Sequence, residues 1–210
     1  MHTFDGEFME HKDVTGLILA GGRGSRMGSV DKGLKPFRGK PMVLHAIERL
    51  SPQVGSVLIN ANQNLDVYED FGVPVYSDQI QGFAGPLAGL QTGFLHCSSP
   101  FLVTVPCDSP FFPLDLVSKL GTALIDQNAD LSVALTGLGE EEQPHPVFCL
   151  LRSSLLPHLT DFLQSGQRKI DKWYASLKLA RVHFANEDAF SNINTIEELA
   201  KWEEKLAQKN

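Results

Sequence analysis

The chain is poor in cysteine, in excess positive charge and in long apolar runs. Its three cysteines, Cys97, Cys107 and Cys149, are odd in number, widely spaced and form no C-x-x-C pair. A disulfide framework and a zinc site are therefore not expected, and a reducing compartment is. No apolar run approaches the ~20 residues of a membrane span. The opening stretch, residues 1–13, is acidic and has no apolar centre, so it is expected to be flexible and not to act as a signal peptide; the cytoplasm is the expected location. The net charge of −7 argues against a broad nucleic-acid-binding surface. A Walker A loop is missing, because no glycine precedes Lys-Ser or Lys-Thr. The dinucleotide fingerprint G-x-G-x-x-G starts at Gly22 and Gly24 but fails at Met27.

What is present fits one soluble α/β domain. There are 210 residues, of which 42% are apolar and 20% charged. Apolar runs alternate with helical patterns. Strands are read over 15–20, 56–61, 101–108, 130–137, 145–152 and 180–185, with a short one ending at Asp78. A helix opens at Pro41, with Val43, Ala46, Ile47 and Leu50 on one face; Leu87, Leu90 and Phe94 mark another. Pro113 opens a helix carrying Val117, Leu120 and Leu124, residues 155–163 form the next, and a basic turn at 166–169 leads into a helix with Trp173 and Tyr174. Thr195 to Glu198 spells a capping box for the C-terminal helix. Alternation of this kind implies a Rossmann-like three-layer α/β/α sandwich around a mostly parallel sheet. Such sheets bind ligands beyond the carboxyl ends of their strands.

The most informative stretch is residues 14–40. The run Leu17-Ile18-Leu19-Ala20 turns through Gly21 and Gly22 into a loop with Arg23, Arg26 and Lys32. Between Arg23 and Lys40 there are six basic residues and one acid, Asp31, a focused anion site in an acidic protein. Glycines let backbone N–H groups approach phosphate oxygens, and the cations neutralise the remaining charge. Asn60, Asp78 and Asp108 also fall at strand ends and should share that crevice. Asp108, in Val-Pro-Cys-Asp-Ser-Pro, is placed to hold Mg²⁺; its plainer alternative is a helix cap. Asn60 and Asp78 could also be simple turn formers, and Cys107 reads as a small buried hydrophobe.

The spelling L-A-G-G-x-x-x-R-M-G-x-x-D-K, Leu19 to Lys32, resembles the signature of nucleotidyltransferases with a sugar-nucleotide-type fold. Within them the chain is most similar to the molybdenum cofactor guanylyltransferases, and the resemblance covers nearly its whole length. It implies a GTP-binding half over 14–125 and a molybdopterin-binding half over 126–210. By the same resemblance Leu19, Ala20, Gly21, Gly22, Lys32, Asn60, Asp78 and Asp108 contact GTP, and Asp108 binds the metal. Gly85 to Gly89 also matches. His145, Arg168, Lys169, Asn192 and Asn194 match segments that line the pterin side; the residues alone leave open a solvated helix start for Arg168 and Lys169 and a loop role for the asparagines. Arg26, Lys32 and Asp108 are then the catalytic set. The implied substrates are GTP and molybdopterin, with Mg²⁺ as cofactor, a monomer as the acting species, and transient contact with proteins that deliver and accept the cofactor. Relatives that transfer cytidylyl groups tend to show L-A-A-G at the loop, and sugar-phosphate nucleotidyltransferases are usually longer. A binding module without turnover is the non-enzymatic alternative.

Overall fold

The computed structural model describes residues 9–20, 31–80 and 85–207. Strand β1 (Val14–Leu19) is buried nearly throughout, because it is the middle of a sheet covered on both faces. A small hairpin, β2 (Pro36–Phe37) and β3 (Lys40–Pro41), follows, and then helix α1 (Met42–Leu50). The order continues as β4 (Ser56–Asn60), α2 (Leu65–Glu69), β5 (Val75–Tyr76), α3 (Pro86–His96), β6 (Phe101–Pro106) and α4 (Leu116–Asp126). The second half holds β7 (Leu131–Thr136), β8 (Gln143–Arg152), α5 (Leu156–Gln164), α6 (Ile170–Tyr174), β9 (Leu179–His183) and α7 (Ile196–Ala207).

Seven strands form one sheet in the order β5-β4-β1-β6-β8-β7-β9. All described pairings are parallel except those of β8, which runs antiparallel to both β6 and β7. β8 comes back beside β7 because the chain reverses tightly after it, with Gly137 at φ +70° and Gly139 at φ +61°. At Gly137 a side chain would also run into the Glu141 carbonyl. One core lies on the face covered by α1 and α4, around Ile18, Val43, Leu50, Val103, Leu120 and Phe148. The second lies under α3, α5 and α6, around Leu17, Leu90, Phe94, Leu159 and Trp173. This is the three-layer sandwich with a mostly parallel sheet that the alternation predicts. Among the described residues no helix is long and apolar enough to cross a membrane.

Several local expectations shift. The polar segment after residue 64 forms α2, because Tyr68 anchors it in the core at 0% exposure. Helix α4 starts at Leu116 rather than Pro113. The Pro113 carbonyl instead accepts from Leu116 N–H and from the Gln53 side chain. The strand read as 101–108 ends at Pro106, so Cys107 and Asp108 form a turn beyond it. At the other end of the sequence, His11–Asp13 form a 3-10 turn against which β1 begins, and Met9 packs on the first core.

Candidate active site

β1 is the switch point of the topology. Its neighbours β4 and β6 lie on opposite sides, and their chain connections depart in opposite directions along the sheet. Leu19, Asn60 and Pro106 are in register at the three carboxyl ends. The floor is stitched by Ala20 N–H to Asn60 C=O at 2.8 Å and Cys107 N–H to Leu19 C=O at 3.1 Å. The loop carrying Gly21, Gly22 and Arg26 leaves from this floor and lies outside the described residues.

On the β4 side the asparagines build a mount for Asp78. Its carboxylate accepts from Asn60 Nδ2 at 2.9 Å and from Asn62 Nδ2 at 2.9 Å, and its own N–H donates to Asn62 Oδ1 at 2.9 Å. Asn60 is 2% exposed and also donates to the Tyr76 carbonyl. A Cβ at Gly89 would strike the Asn60 side-chain oxygen, so that glycine lets α3 close over the asparagine. A carboxylate has about four acceptor positions, and the two described side-chain bonds leave room for further donors.

On the β6 side Asp108 is 9% exposed. Burial pushes its carboxyl above the usual carboxylate range, and the Lys32 ammonium, 3.3 Å from Oδ2, pulls it back down. Lys32 Nζ also donates to Asn194 Oδ1. The Ile193 N–H donates to the Asp108 carbonyl at 2.8 Å, and Ser109 Oγ to Asn192 Oδ1 at 2.5 Å. Three distant pieces of chain, around residues 32, 108 and 193, thus meet at one point. The adjacent Cys107 thiol is buried and pushed well up by that burial, as expected of a packing residue rather than a nucleophile.

Beside this junction opens a cavity of about 540 Å³, lined by Pro106, Gln143, His145, Phe190, Asn192 and Asn194 among others. His145 stacks on Phe190 with ring centroids 4.7 Å apart, and its Nε2 lies 2.8 Å from Thr136 Oγ1. Burial lowers its pKa, so it favours the neutral form. His145 faces the cavity because β8 bulges: Val133 pairs with Cys149, yet Ala134 pairs with His145. The extra residues are held by Tyr174 Oη on the Pro146 carbonyl and Thr104 Oγ1 on the Val147 carbonyl.

Of the residues singled out in the sequence, Lys32, Asp108, Asn192, Asn194 and His145 therefore converge, and Leu19, Ala20, Asn60 and Asp78 line the neighbouring strand ends. Arg168 and Lys169 do not line the cavity; they sit exposed between α5 and α6, where Arg168 donates to the carbonyls of Leu163 and Gln167. Asn62, Phe190 and Thr136 were not singled out as separate site residues. Asn62 lies two residues beyond Asn60 in Asn60-Ala61-Asn62, where a local signal exists, but Phe190 and Thr136 carry none, since tertiary packing alone brings them to His145.

The residues fit a hard divalent cation. Asp108 offers a buried anionic oxygen only partly compensated by Lys32, and the amide oxygens of Asn192 and Asn194 are hard donors nearby. Mg²⁺ commonly takes one or two carboxylates and completes its shell with water and substrate phosphates.

The profile of the MobA-like NTP transferase domain family matches residues 16–182. A molybdenum cofactor guanylyltransferase of Bordetella petrii is 54% identical over 91% of this chain and 97% of its own length. Another, from Cupriavidus necator, is 55% identical over 89% of this chain and 94% of its own. The crystal structure of molybdopterin-guanine dinucleotide biosynthesis protein A from Archaeoglobus fulgidus superposes with a TM-score of 0.73 at 22% identity, covering 92% of this chain and 99% of that one. A 4-diphosphocytidyl-2C-methyl-D-erythritol synthase from Anaerococcus prevotii gives the same TM-score of 0.73 at 13% identity, covering 94% of this chain and all of its own, which speaks to the fold alone. With its switch-point crevice, its Lys32–Asp108 junction and more than half of the aligned positions identical to the Bordetella and Cupriavidus enzymes over most of its length, the chain belongs to the molybdenum cofactor guanylyltransferases.

Proposed function

We propose that the chain transfers GMP from GTP to molybdenum-molybdopterin, giving the molybdopterin guanine dinucleotide cofactor and pyrophosphate. The observation that carries the reading is the junction of Lys32, Asp108 and Asn194, where the strand-end crevice meets the His145 cavity. GTP would occupy the crevice over Leu19, Ala20, Gly21 and Gly22, beside Asn60 and Asp78. The pterin would enter the cavity at His145, Asn192 and Asn194. Its terminal phosphate oxygen bonds to the α-phosphorus of GTP, the bond from that phosphorus to the bridging oxygen breaks, and the electron pair leaves with pyrophosphate. The nucleophile is already an anion, so no side chain need remove a proton. Alignment and neutralisation of charge are enough. Mg²⁺ held by Asp108 would supply charge neutralisation across the reacting phosphates. Lys32, 3.3 Å from Asp108 and 27% exposed at its side chain, would neutralise charge on the leaving pyrophosphate, and Arg26 would work beside it. Arg168 and Lys169, which do not line the cavity, are assigned to pterin binding by the family resemblance alone. The reading takes the protein as a cytoplasmic monomer in transient contact with proteins that deliver and accept the cofactor.

Guanine shows N1–H and N2–H₂ donors beside an O6 acceptor; adenine lacks that donor pair and cytosine is a single ring. A fixed carboxylate rejects the wrong base because it would be left buried without its donors. Asp78, clamped by Asn60 and Asn62, is that carboxylate in this reading. Calorimetric titration with Mg²⁺ should show GTP binding far more tightly than ATP or CTP, and Asp78→Ala should erode the preference. Equal affinities for the three nucleotides would overturn guanylyl transfer; an unchanged preference in Asp78→Ala would remove only the role of Asp78.

A further inference from the structure

Lys32 is aimed at Asp108 by a small, partly buried device on the far side of its own backbone. Asp31 Oδ1 accepts the Gly33 N–H at 3.1 Å and the Tyr68 hydroxyl at 2.6 Å. Asp31 Oδ2 accepts from Asn64 Nδ2 at 3.2 Å. Tyr68 is 0% exposed, and burial pushes its phenol far up, so it stays a neutral donor. A buried tyrosine hydroxyl needs a partner, and Asp31 is the acceptor that it finds. On the other side the Gly33 carbonyl accepts from Val43 N–H at 2.9 Å, and the Lys32 carbonyl from Lys35 N–H at 3.2 Å. There is no space to relax between these two holds. A Cβ at Gly33 would collide with the Tyr68 hydroxyl and come within 3.3 Å of Cys107 Sγ. The peptide between Lys32 and Gly33 is therefore pinned against α2 on one side and the start of α1 on the other. Its remaining freedom is the side chain of Lys32, which points to Asp108 and Asn194.

We infer that Asp31 and Tyr68 are positioning residues for nucleotidyl transfer, acting through Lys32. The inference rests on the reading that Lys32 neutralises developing phosphate charge. The Tyr68 hydroxyl lies behind the backbone and does not meet the substrates. It fixes the point from which the ammonium swings, and so decides whether that charge reaches the leaving group or stops short of it. A misplacement of about 1 Å can cost roughly 10²-fold in rate without any loss of binding.

The test is a double-mutant cycle on the full chain, reading pyrophosphate release with GTP, Mg²⁺ and molybdopterin. Tyr68→Phe keeps the ring in its packing place and removes only the hydroxyl. Its kcat should fall about tenfold, inside the ~10²-fold bound for misplacement, with KM for GTP nearly unchanged. Lys32→Ala alone should lose roughly 10²–10³ in kcat, as for one electrostatic donor. Tyr68→Phe added to Lys32→Ala should then cost nothing more, because residues acting as a unit are non-additive. Asp31→Asn keeps the oxygen that accepts from Gly33 and Tyr68 and should retain most of the activity, whereas Asp31→Ala should behave like Tyr68→Phe. Wild-type kcat in Tyr68→Phe, or losses that multiply in the double variant, would overturn the positioning role. An unchanged kcat in Lys32→Ala would remove the charge role of Lys32 itself, and this inference with it.

Discussion

Single residues in this fold are legible when they end a strand and obscure when packing alone brings them together. Asp108 was readable because a carboxylate following Phe101 to Pro106 has to emerge at the end of the sheet. Its pairing with Lys32 was not, since 76 positions separate them and the contact depends on the turn at Cys107. The oxygen of Ser132 is a different case. It is fully buried on β7 and, alone among the buried side-chain nitrogens and oxygens of the described residues, lacks a hydrogen-bond partner. Side chains alternate along a strand, so Ser132 shares the face of Ala134, which belongs to the α4-side core. Burying a hydroxyl without a partner costs about 1–3 kcal/mol, and removing it leaves only a small void. Ser132→Ala should therefore be neutral or stabilising by up to about 1 kcal/mol in urea unfolding. A destabilisation beyond ~1 kcal/mol would mean that the hydroxyl has a partner.

At the scale of elements, the strong periodic segments were legible: β1, β4, β6, α1 and α3 lie within a few residues of where the apolar spacing put them. The antiparallel course of β8 was not, because a buried strand reads the same in either direction. Neither was the hairpin of β2 and β3, which is too short to show a period. The capping box of α7 was plain in the sequence, and the structure adds a third bond to it. Glu198 Oε2 accepts from Thr195 N–H at 3.2 Å and from Asn194 N–H at 2.6 Å, while Glu198 N–H donates to Thr195 Oγ1 at 3.0 Å. The cap of the last helix thereby fixes the backbone of the residue whose side chain meets Lys32. Glu198→Ala should cost about 0.5–2 kcal/mol, the range for a lost cap, and should also lower kcat by loosening Asn194. Glu198→Gln retains an acceptor for both N–H groups and should restore both properties. Stability lost with kcat intact would separate the helix cap from the site.

At the scale of the whole molecule, the layer order follows from alternation, but the closing of the two halves onto each other does not. The segment from Asn192 to Asn194 comes back to β6 through Ile193, which is 0% exposed and packs with Phe37 and Met42. Phe111, Leu199 and Trp202 extend that cluster onto α7. A ligand at the junction therefore touches chain from the first loop, from β6 and from the C-terminal segment at once, and should stabilise the fold as one unit. Binding to the native state alone adds RT ln(1 + [L]/Kd), about 2.7 kcal/mol at 100 times Kd. For a chain of this length that is a rise in Tm of roughly 5–10 °C. GTP with Mg²⁺ should give that shift, and EDTA should remove most of it. Asp108→Asn should keep the ligand-free Tm close to wild type, because burial already disfavours the charged carboxylate and the partner Lys32 is partly exposed to water. The same variant should lose the Mg²⁺-dependent part of the shift together with turnover, since the anionic oxygen that would hold the cation is gone. A well-folded Asp108→Asn protein with the full shift and near-normal transfer would show that the cation is held elsewhere.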